Sequence, residues 1–387
     1  MSIPVSTKSS IRSVVTKTGG IYIHVPFCQS RCIYCDFYST TYGMEWKRSY
    51  IDALKREMHL RRAEIDNSRV PTLYIGGGTP SHLPTSLLQE MFQAIHENFT
   101  LMEDAEVTVE ANPDDVSPEW LAALRNTPVN RISMGVQTFS DSLLRFLNRR
   151  HSSSQAIEAV KLCQDAGYSN ISLDLIYGLP GQTFQDWKND VQQLLALGVP
   201  HLSAYALSFE EGTVLGRMLQ DGSVDEASDE LSWQMYEYLM DETKDAGMEH
   251  YEISNFAKPG MHSRHNSSYW NGSPYLGLGP GAHSYDGDSI RRSNNTSLKD
   301  YIQATADVPH QDEVLTPQEQ YNELVMTRLR TSQGLDLGLL TPDQKNYCLQ
   351  MAEPHILSGN LIQEDLALRL SRKGIFISNS IISDLMY

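Results

Sequence analysis

The sequence predicts an α/β fold built on a partial (β/α)6 barrel, with a smaller accessory domain at the C-terminal end. Strand-like and helix-like runs alternate six times over the first two thirds of the 387 residues. This alternation is typical of a parallel sheet with right-handed helical crossovers. Six units are too few to close an eight-stranded barrel. Polar and glycine-rich residues collect where the strand-like runs end, which is the edge where such barrels carry their active sites.

The six units follow one another in a regular order. Each one consists of a short run rich in β-branched and aromatic residues, followed by an amphipathic segment. The strand-like runs are IYIHV at 21–25, TLYIGGG at 72–78, EVTVEANP at 106–113, RISMGVQ at 131–137, ISLDLIYGLPG at 171–181 and HLSAYAL at 201–207. After the third run, Ser117 and Pro118 are suited to the N-cap and the first position of a helix.

Four regions are predicted along the chain. Residues 1–20 form a leader, 21–250 the barrel, 251–310 a connecting region rich in His, Gly and aromatic residues, and 311–387 a mainly helical, winged-helix-like domain. The leader lacks the apolar segment of a secretory signal; a short frayed end and an amphipathic targeting segment both fit it. In the last region, GIFIS at 374–378 predicts a short strand.

Composition and charge exclude several classes of protein. The net charge of −17 and the pI of about 5.1 argue against a general nucleic-acid binder, whose surface would be basic. The chain has no apolar run of the roughly 18 residues that a transmembrane helix needs. Five cysteines, three of them crowded together, do not match a secreted disulfide framework. We therefore expect a reducing compartment, taken to be the cytoplasm.

The stretch IYIHVPFCQSRCIYCDF at 21–37 brings Cys28, Cys32 and Cys35 within eight residues. Thiolates at this spacing suit zinc, redox chemistry or an iron–sulfur cluster. A structural zinc site needs four ligands, but the other two cysteines are isolated, and His24 lies inside a strand-like run. Fully ligated [4Fe–4S] clusters use four thiolates, so three leave one iron open to another ligand. We favour the cluster over zinc.

The spacing C-x3-C-x2-C on a loop after the first strand resembles the radical S-adenosylmethionine (SAM) superfamily. Tyr34, just before the last cysteine, matches the superfamily as well. The resemblance implies that Cys28, Cys32 and Cys35 hold a [4Fe–4S] cluster whose open iron binds the amino and carboxylate groups of SAM. It also implies that an electron from the cluster can cleave SAM to a 5′-deoxyadenosyl radical.

The same resemblance extends to the ends of the following strands, where it implies contacts with SAM. The candidates are Gly77, Gly78, Thr79, Glu110, Gln137, Arg149 and Asp174, with Tyr22 near the cluster. Their chemistry is suitable, because glycine amides approach a ligand closely, a guanidinium pairs with a carboxylate, and acids and amides bind hydroxyls and amines. Each type also has an ordinary structural explanation, such as a tight turn, an ion pair or an Asx turn.

Six further segments narrow the family. IYIHVPFC, LYIGGGTP, VEANP, ISMGVQTF, LIYGLPGQT and HYEISNFA together resemble the oxygen-independent coproporphyrinogen III oxidase-like family, from about Ile21 to the C-terminus. The oxidase in that family decarboxylates two propionates to vinyl groups, giving protoporphyrinogen IX. It carries a further cysteine where this chain has Phe37, and a longer N-terminal arm. HemW-type heme chaperones share the CDF form and an H-N-x-x-Y-W motif.

The matching segment here is HNSSYW at 265–270. The resemblance implies heme binding there, with His265 as the candidate axial ligand and with Tyr269 and Trp270 suited to stacking on a porphyrin. The reserve ligands are His250, His262 and His283.

The resemblance thus implies a heme chaperone with a cluster, SAM and heme as cofactors. Its partners would be heme-accepting proteins and no nucleic acid; a homodimer and a peripheral membrane contact through the acceptors also fit. The alternative is the oxidase, and whether the protein is an enzyme stays open.

Overall fold

The structure, a computed structural model, describes residues 17–387, so most of the predicted leader lies outside it. The strands are β1 Gly20–Val25, β2 Val70–Gly77, β3 Leu101–Ala111, β4 Arg131–Gln137, β5 Asn170–Tyr177, β6 His201–Ala206, β7 Glu249–Glu252, β8 Asn255–Ala257, β9 Tyr275–Leu278, β10 His283–Tyr285, β11 Ile290–Ser293, β12 Gln311–Val314, β13 Leu335–Asp336, β14 Leu361–Glu364 and β15 Ala367–Leu370. The helices are α1 Met44–Arg61, α2 Thr85–Asn98, α3 Pro118–Leu124, α4 Asp141–Phe146, α5 Ser153–Asp165, α6 Phe184–Ala196, α7 Val214–Gln220, α8 Asp229–Asp245, α9 Arg264–Trp270, α10 Leu298–Gln303, α11 Pro317–Leu329, α12 Pro342–Leu357, α13 Arg372–Phe376 and α14 Ser378–Leu385.

The main sheet confirms the predicted fold class. Strands β1 to β6 lie side by side in chain order and are all parallel, with helices in every crossover. Beyond β1 the sheet continues with β9, which is parallel to β1, and then with antiparallel β10, β11 and β12. Beyond β6 it continues with antiparallel β8 and β7. The predicted connecting region therefore supplies strands to both edges of the barrel sheet.

Side-chain alternation along β1 separates an apolar core from a polar interior. Ile21, Ile23 and Val25 are fully buried in the main hydrophobic core, as expected for every second residue of a strand that is covered by helices. Tyr22 and His24 occupy the alternate positions and contact other polar side chains. The inward face of the barrel, called the bore below, is therefore lined by groups that can hydrogen-bond.

A buried ion pair attaches the added strands to helix α1. Arg61 donates to Glu57 (2.8 Å) and to the carbonyl oxygen of Gly277 in β9 (2.8 Å). Glu57 in turn accepts from Tyr301 (2.7 Å) and from Asn294 (2.7 Å). Because every polar group of this pair has a partner, its burial is compensated, and breaking it would leave an unpaired charge.

Residues 321–385 enclose a second, smaller hydrophobic core. It lies between helices α11, α12 and α14 and a three-stranded antiparallel sheet in the order β13-β15-β14. The strand predicted for GIFIS is wrong, because this run lies in α13 and its junction with α14. Ser371 caps α13 by accepting from the backbone N–H of Gly374, which favours helix over strand. In residues 17–387, no helix is both long and apolar enough to span a membrane.

Candidate functional site

The residues predicted for the cluster and SAM converge at the carboxyl ends of β1 to β5. Parallel strands bring their ends to one edge, so residues distant in sequence meet there. At or just beyond this edge lie Cys28, Cys32, Cys35, Gly77, Gly78, Thr79, Glu110, Gln137, Arg149 and Asp174. Most of them are half-buried, as expected for groups that line a cleft.

The cysteine loop begins after β1, and backbone hydrogen bonds join its two ends. The N–H of Cys28 donates to the carbonyl oxygen of Thr40 (2.9 Å), and the N–H of Thr40 donates to that of Pro26 (2.7 Å). Farther along, the N–H of Ile33 donates to the carbonyl oxygen of Leu147, which follows α4 (3.3 Å). The three cysteines are therefore carried on a loop held at its base and at its tip.

The thiols of this loop have few partners. Thr79 Oγ1 lies 3.5 Å from Cys28 Sγ, and Arg149 Nη1 lies 3.5 Å from Cys32 Sγ. Burial raises the pKa of Cys28, and it raises the pKa of Cys35 to about 11. Cys28 and Cys35 are therefore protonated at neutral pH in the metal-free protein, so metal binding must release their protons.

Two glycines at the end of β2 let the backbone lie close to His24 and Cys28. Gly77 has a φ of +112°, and a Cβ there would lie 2.8 Å from the ring of His24. A Cβ on Gly78 would lie 3.0 Å from Cys28 Sγ. A larger residue at either position would displace the side chain of His24 or Cys28. This explains why glycines stand at the end of β2.

Glu110 is fixed at the end of β3 with a carboxylate that titrates near neutral pH. Tyr74 donates to its Oε1 (2.8 Å), and the N–H of Gly77 donates to its Oε2 (3.1 Å). Burial raises the pKa of Glu110 to about 7; the Tyr74 hydrogen bond opposes this shift, and the nearby Asp174 adds to it. Glu110 can therefore accept a hydrogen bond from a cation once it is ionised.

Arg149 is held by several acceptors and retains one free donor. Its Nη2 donates to Asn112 Oδ1 (2.9 Å) and to the carbonyl oxygen of Gly135. Its Nε is buried without a partner, so this donor is available to a carboxylate ligand. Sequence reasoning did not single out Asn112, although its place in VEANP at the end of β3 is the kind of signal that found Glu110.

Gln137 and Asp174 stand on neighbouring strands at the same edge. Gln137 has a φ of +71°, a conformation that costs energy for a residue with a side chain. Asp174 is paired in register with Gly135, the residue two places before Gln137. Burial raises the pKa of Asp174 to about 6, while the Ser203 hydroxyl and the charge of Arg131 oppose this shift.

Of the two predicted tyrosines, Tyr22 lies in β1, ahead of the cysteine loop, and Tyr34 lies within the loop, just before Cys35. Tyr22 OH is 3.1 Å from His24 Nδ1, and His24 Nε2 is 2.7 Å from the carbonyl oxygen of Tyr38. Because a carbonyl only accepts, Nε2 carries the proton of His24 and Tyr22 donates to Nδ1. Tyr34 packs against a small apolar cluster that includes residues of α4. Both tyrosines therefore support the loop from the protein side.

His265 lies away from this edge, beside the first residues of β1 and β2. Its Nδ1 is 2.9 Å from Thr72 Oγ1, and its Nε2 is 2.9 Å from Tyr269 OH. The side chain is fully buried, and burial lowers its pKa to about 3. The imidazole has no unoccupied nitrogen and no exposed edge. The assignment of His265 as the axial ligand stays a prediction, and in this structure both of its nitrogens lie beside hydroxyl groups.

The reserve histidines are scattered. His250 stacks on Phe256 with the ring centroids 4.2 Å apart, His262 pairs with Glu249 at 2.7 Å, and His283 is exposed at the start of β10. Across residues 17–387, no group of three or more His, Cys, Asp or Glu side chains is arranged to hold a metal ion. The three reserve histidines therefore do not form a common metal site.

The carboxyl edge nevertheless fits the group that its motif implies. A cluster presents separate irons to separate thiols, so its cysteines need not converge on one point. Three half-buried thiols share one loop, a Cβ on Gly78 would press against Cys28 Sγ, and Arg149 keeps a buried N–H without a partner. These residues suit a cluster together with a ligand that carries a carboxylate.

Two family models match the chain. The model of the Radical SAM superfamily matches residues 22–194, which contain most of β1, the cysteine loop and all of β2 to β5. The model of the HemN C-terminal domain matches residues 315–377, which contribute most of the second core.

Proteins from two bacteria are similar over almost the whole chain. The heme chaperone HemW of Lactococcus lactis is 39% identical over 375 residues, covering 95% of this chain and 97% of the relative. The heme chaperone HemW of Bacillus subtilis is 38% identical over 369 residues, covering 93% of this chain and 97% of the relative. The similarity therefore includes both cores.

A solved structure shares the architecture. Coproporphyrinogen III oxidase (HemN) from Escherichia coli, a radical SAM enzyme, superimposes with a TM-score of 0.83 and covers 96% of this chain and 90% of its own. The sequence identity is 23%, so this likeness supports the fold alone.

Proposed function

The chain belongs to the HemW family of radical SAM proteins, and from this membership we propose that it is a heme chaperone. It binds heme, carries a [4Fe–4S] cluster with SAM as a further ligand, and passes heme to acceptor proteins. The observation that carries the proposal is the 39% identity with a heme chaperone over 95% of this chain.

We assign the cluster to Cys28, Cys32 and Cys35. When bound, the cluster and SAM supply one-electron chemistry. The chain itself supplies a loop fixed at its base by Thr40 and a neighbouring guanidinium, that of Arg149, whose Nη1 lies 3.5 Å from Cys32 Sγ.

We assign SAM to the adjacent polar groups. The unpartnered Nε of Arg149 suits its carboxylate, and the ionised Glu110 suits its ammonium group. The remaining candidate contacts are Gly77, Gly78, Thr79, Gln137 and Asp174. Tyr22 and Tyr34 support the cysteine loop from the protein side.

The barrel predicted over residues 21–250 carries the cluster and SAM in this proposal, and the unit predicted from residue 311 packs beside α9. The oxidase is the weaker candidate, because position 37 is an exposed phenylalanine and supplies no thiol next to Cys35.

A heme titration tests the proposal. Anaerobically reconstituted protein is titrated with heme while the Soret band is recorded, and heme-loaded protein is then mixed with a heme-free acceptor. We expect saturable binding at one heme per chain, followed by transfer of the band to the acceptor. No binding, together with release of carbon dioxide from coproporphyrinogen III in the presence of SAM and a reductant, would instead identify the oxidase.

A further inference from the structure

A cavity of about 280 Å³ lies where the barrel meets the second core, and we call it the junction pocket. Its walls come from α9, from β9 to β11 and from α11. The side chains that define it are Tyr269, Trp270, Tyr285, Arg291, Glu323 and Arg328. Two of them, Tyr269 and Trp270, belong to the HNSSYW segment. This segment therefore presents its aromatic residues, and not its histidine, to a cavity.

The junction pocket carries two guanidinium groups. Arg328 donates from Nη2 to the carbonyl oxygen of Asn271 (2.9 Å), and its Nε is buried without a partner. Arg291 Nη1 lies 2.6 Å from Glu323 Oε1, and its guanidinium carbon lies 5.9 Å from the ring centroid of Tyr285. The side chains that define the pocket thus carry an excess of positive charge, in a chain whose net charge is −17.

Residues of the barrel fix the position of Tyr269 in the aromatic wall of the junction pocket. Tyr269 packs edge-on against Tyr275 with the ring centroids 4.7 Å apart, and its OH lies 2.9 Å from His265 Nε2. His265 is anchored in turn by Thr72 in β2. His265 therefore orients Tyr269 at the wall of the junction pocket, which makes it a positioning residue.

We propose that heme docks in the junction pocket, with its carboxylates at Arg328 and Arg291 and its ring against Tyr269, Trp270 and Tyr285. This inference rests on the proposed function and adds the site. Three observations support this occupant. The wall is aromatic, as a planar macrocycle requires. Arg328, which lines the cavity, has an N–H at Nε without a partner, which suits a carboxylate. At about 280 Å³ the cavity lies just below the usual range of ligand sites, so heme would protrude from it and could leave for an acceptor.

This geometry predicts which parts of heme matter. No histidine nitrogen is available at the pocket, so iron contributes little and metal-free protoporphyrin IX should bind within about threefold of heme. The carboxylates matter more, because a hydrogen bond between charged groups is worth about 1.5–3 kcal/mol, which is at least about tenfold in affinity. The dimethyl ester of heme should therefore bind at least tenfold more weakly than heme.

The decisive experiment measures the affinity of each of these two ligands for two forms of the protein. Heme and its dimethyl ester are titrated into the reconstituted full chain and into Arg328→Gln. The variant should lose at least about tenfold for heme and almost nothing for the ester, because the two changes remove the same interaction. Equal losses for both ligands, or no loss for heme, would overturn the junction pocket as the site.

Matched variants separate local effects from general ones. Arg369→Gln removes an arginine that is paired with Glu364, as Arg291 is with Glu323, but that lines a different cavity at the same boundary. It should bind heme like the wild type. His265→Gln should keep the position of the Soret band, whereas an axial ligand would shift it when replaced. Circular dichroism melting of each variant confirms that it is folded at the titration temperature.

The outcomes distinguish this inference from the proposed function. Wild-type protein that binds heme while Arg328→Gln and Trp270→Ala bind it equally well would overturn the junction pocket and leave the chaperone in place. Wild-type protein that binds no heme would overturn both. A Soret band shifted by His265→Gln in folded protein would return the site to the histidine.

Discussion

The cysteine loop and the HNSSYW helix carry equally conspicuous motifs, but their side chains are in opposite states. The thiols of Cys28 and Cys32 are half-buried and have only 3.5 Å contacts. His265 is fully buried, and hydroxyl groups lie 2.9 Å from both of its nitrogens. Side chains suited to bind a ligand lack strong hydrogen-bond partners within the protein, whereas side chains that stabilise the fold form hydrogen bonds with other protein groups.

A second histidine in the bore supports this distinction. His201 begins β6 and belongs to no motif, yet its Nδ1 is 2.7 Å from Ser172 Oγ and its Nε2 is 2.8 Å from Tyr251 OH. Burial lowers its pKa well below the usual value, as it does for His265. Two neutral histidines, each held between two hydroxyl groups, thus bind neighbouring elements together inside the barrel.

The largest effect is expected at the loop. Cys32→Ala should abolish the cluster, because the two remaining thiolates cannot hold it. Iron content and visible absorbance after anaerobic reconstitution measure this loss. Cys163→Ala removes a buried thiol from α5 and should retain full iron content. A cluster that survives in Cys32→Ala would contradict the ligand assignment.

The next effect concerns the stability of the HNSSYW region. His265→Ala should lower the free energy of unfolding of the cofactor-free protein by about 3 kcal/mol, because it creates a cavity and leaves two buried hydroxyls unpaired. His201→Ala should cost a similar amount. Denaturant unfolding followed by circular dichroism measures both.

Two controls sharpen this comparison. His96→Ala, on the exposed face of α2, and Cys32→Ala should each change the free energy of unfolding by less than about 1 kcal/mol. If His265→Ala were equally mild, the histidine would not be the structural link described above.

A pH effect is expected from Glu110 at the carboxyl edge. With a pKa of about 7, this acid is mostly protonated at pH 6 and mostly ionised at pH 8. If only the carboxylate accepts from the SAM ammonium group, its contribution to affinity should grow about tenfold between these pH values. The ratio of SAM affinities of wild type and Glu110→Gln isolates this effect from the titration of SAM itself. A ratio that stays constant with pH would contradict it.

The smallest effect is expected at Gln137. Gln137→Ala should weaken SAM binding several-fold, which corresponds to about 1 kcal/mol for a neutral hydrogen bond. Its iron content should equal that of the wild type. Equilibrium dialysis with reconstituted protein measures the affinity, and an unchanged value would remove Gln137 from the site.

Much of the barrel could be predicted because its signals are local. The run at β1 indicates a strand, and the glycines at the end of β2 indicate a tight turn, each within a few residues. Parallel strands must also end at one edge of the sheet. The pairing of β9 with β1 could not be predicted, because about 250 residues separate the partners and local periodicity does not indicate which strands pair. For the same reason the contact between Arg149 and Asn112 was not foreseen.

The sequence by itself determined the class of fold, the cysteine loop and the set of polar residues around it, because residue type, spacing and strand ends are local properties. Only the tertiary structure decided which motif residues are free to bind. Whether a side chain is available depends on its burial and on partners from distant segments. Thr72 and Tyr269 bind the two nitrogens of His265, whereas no acceptor binds the N–H at Arg149 Nε. Neither fact can be read from the motifs themselves.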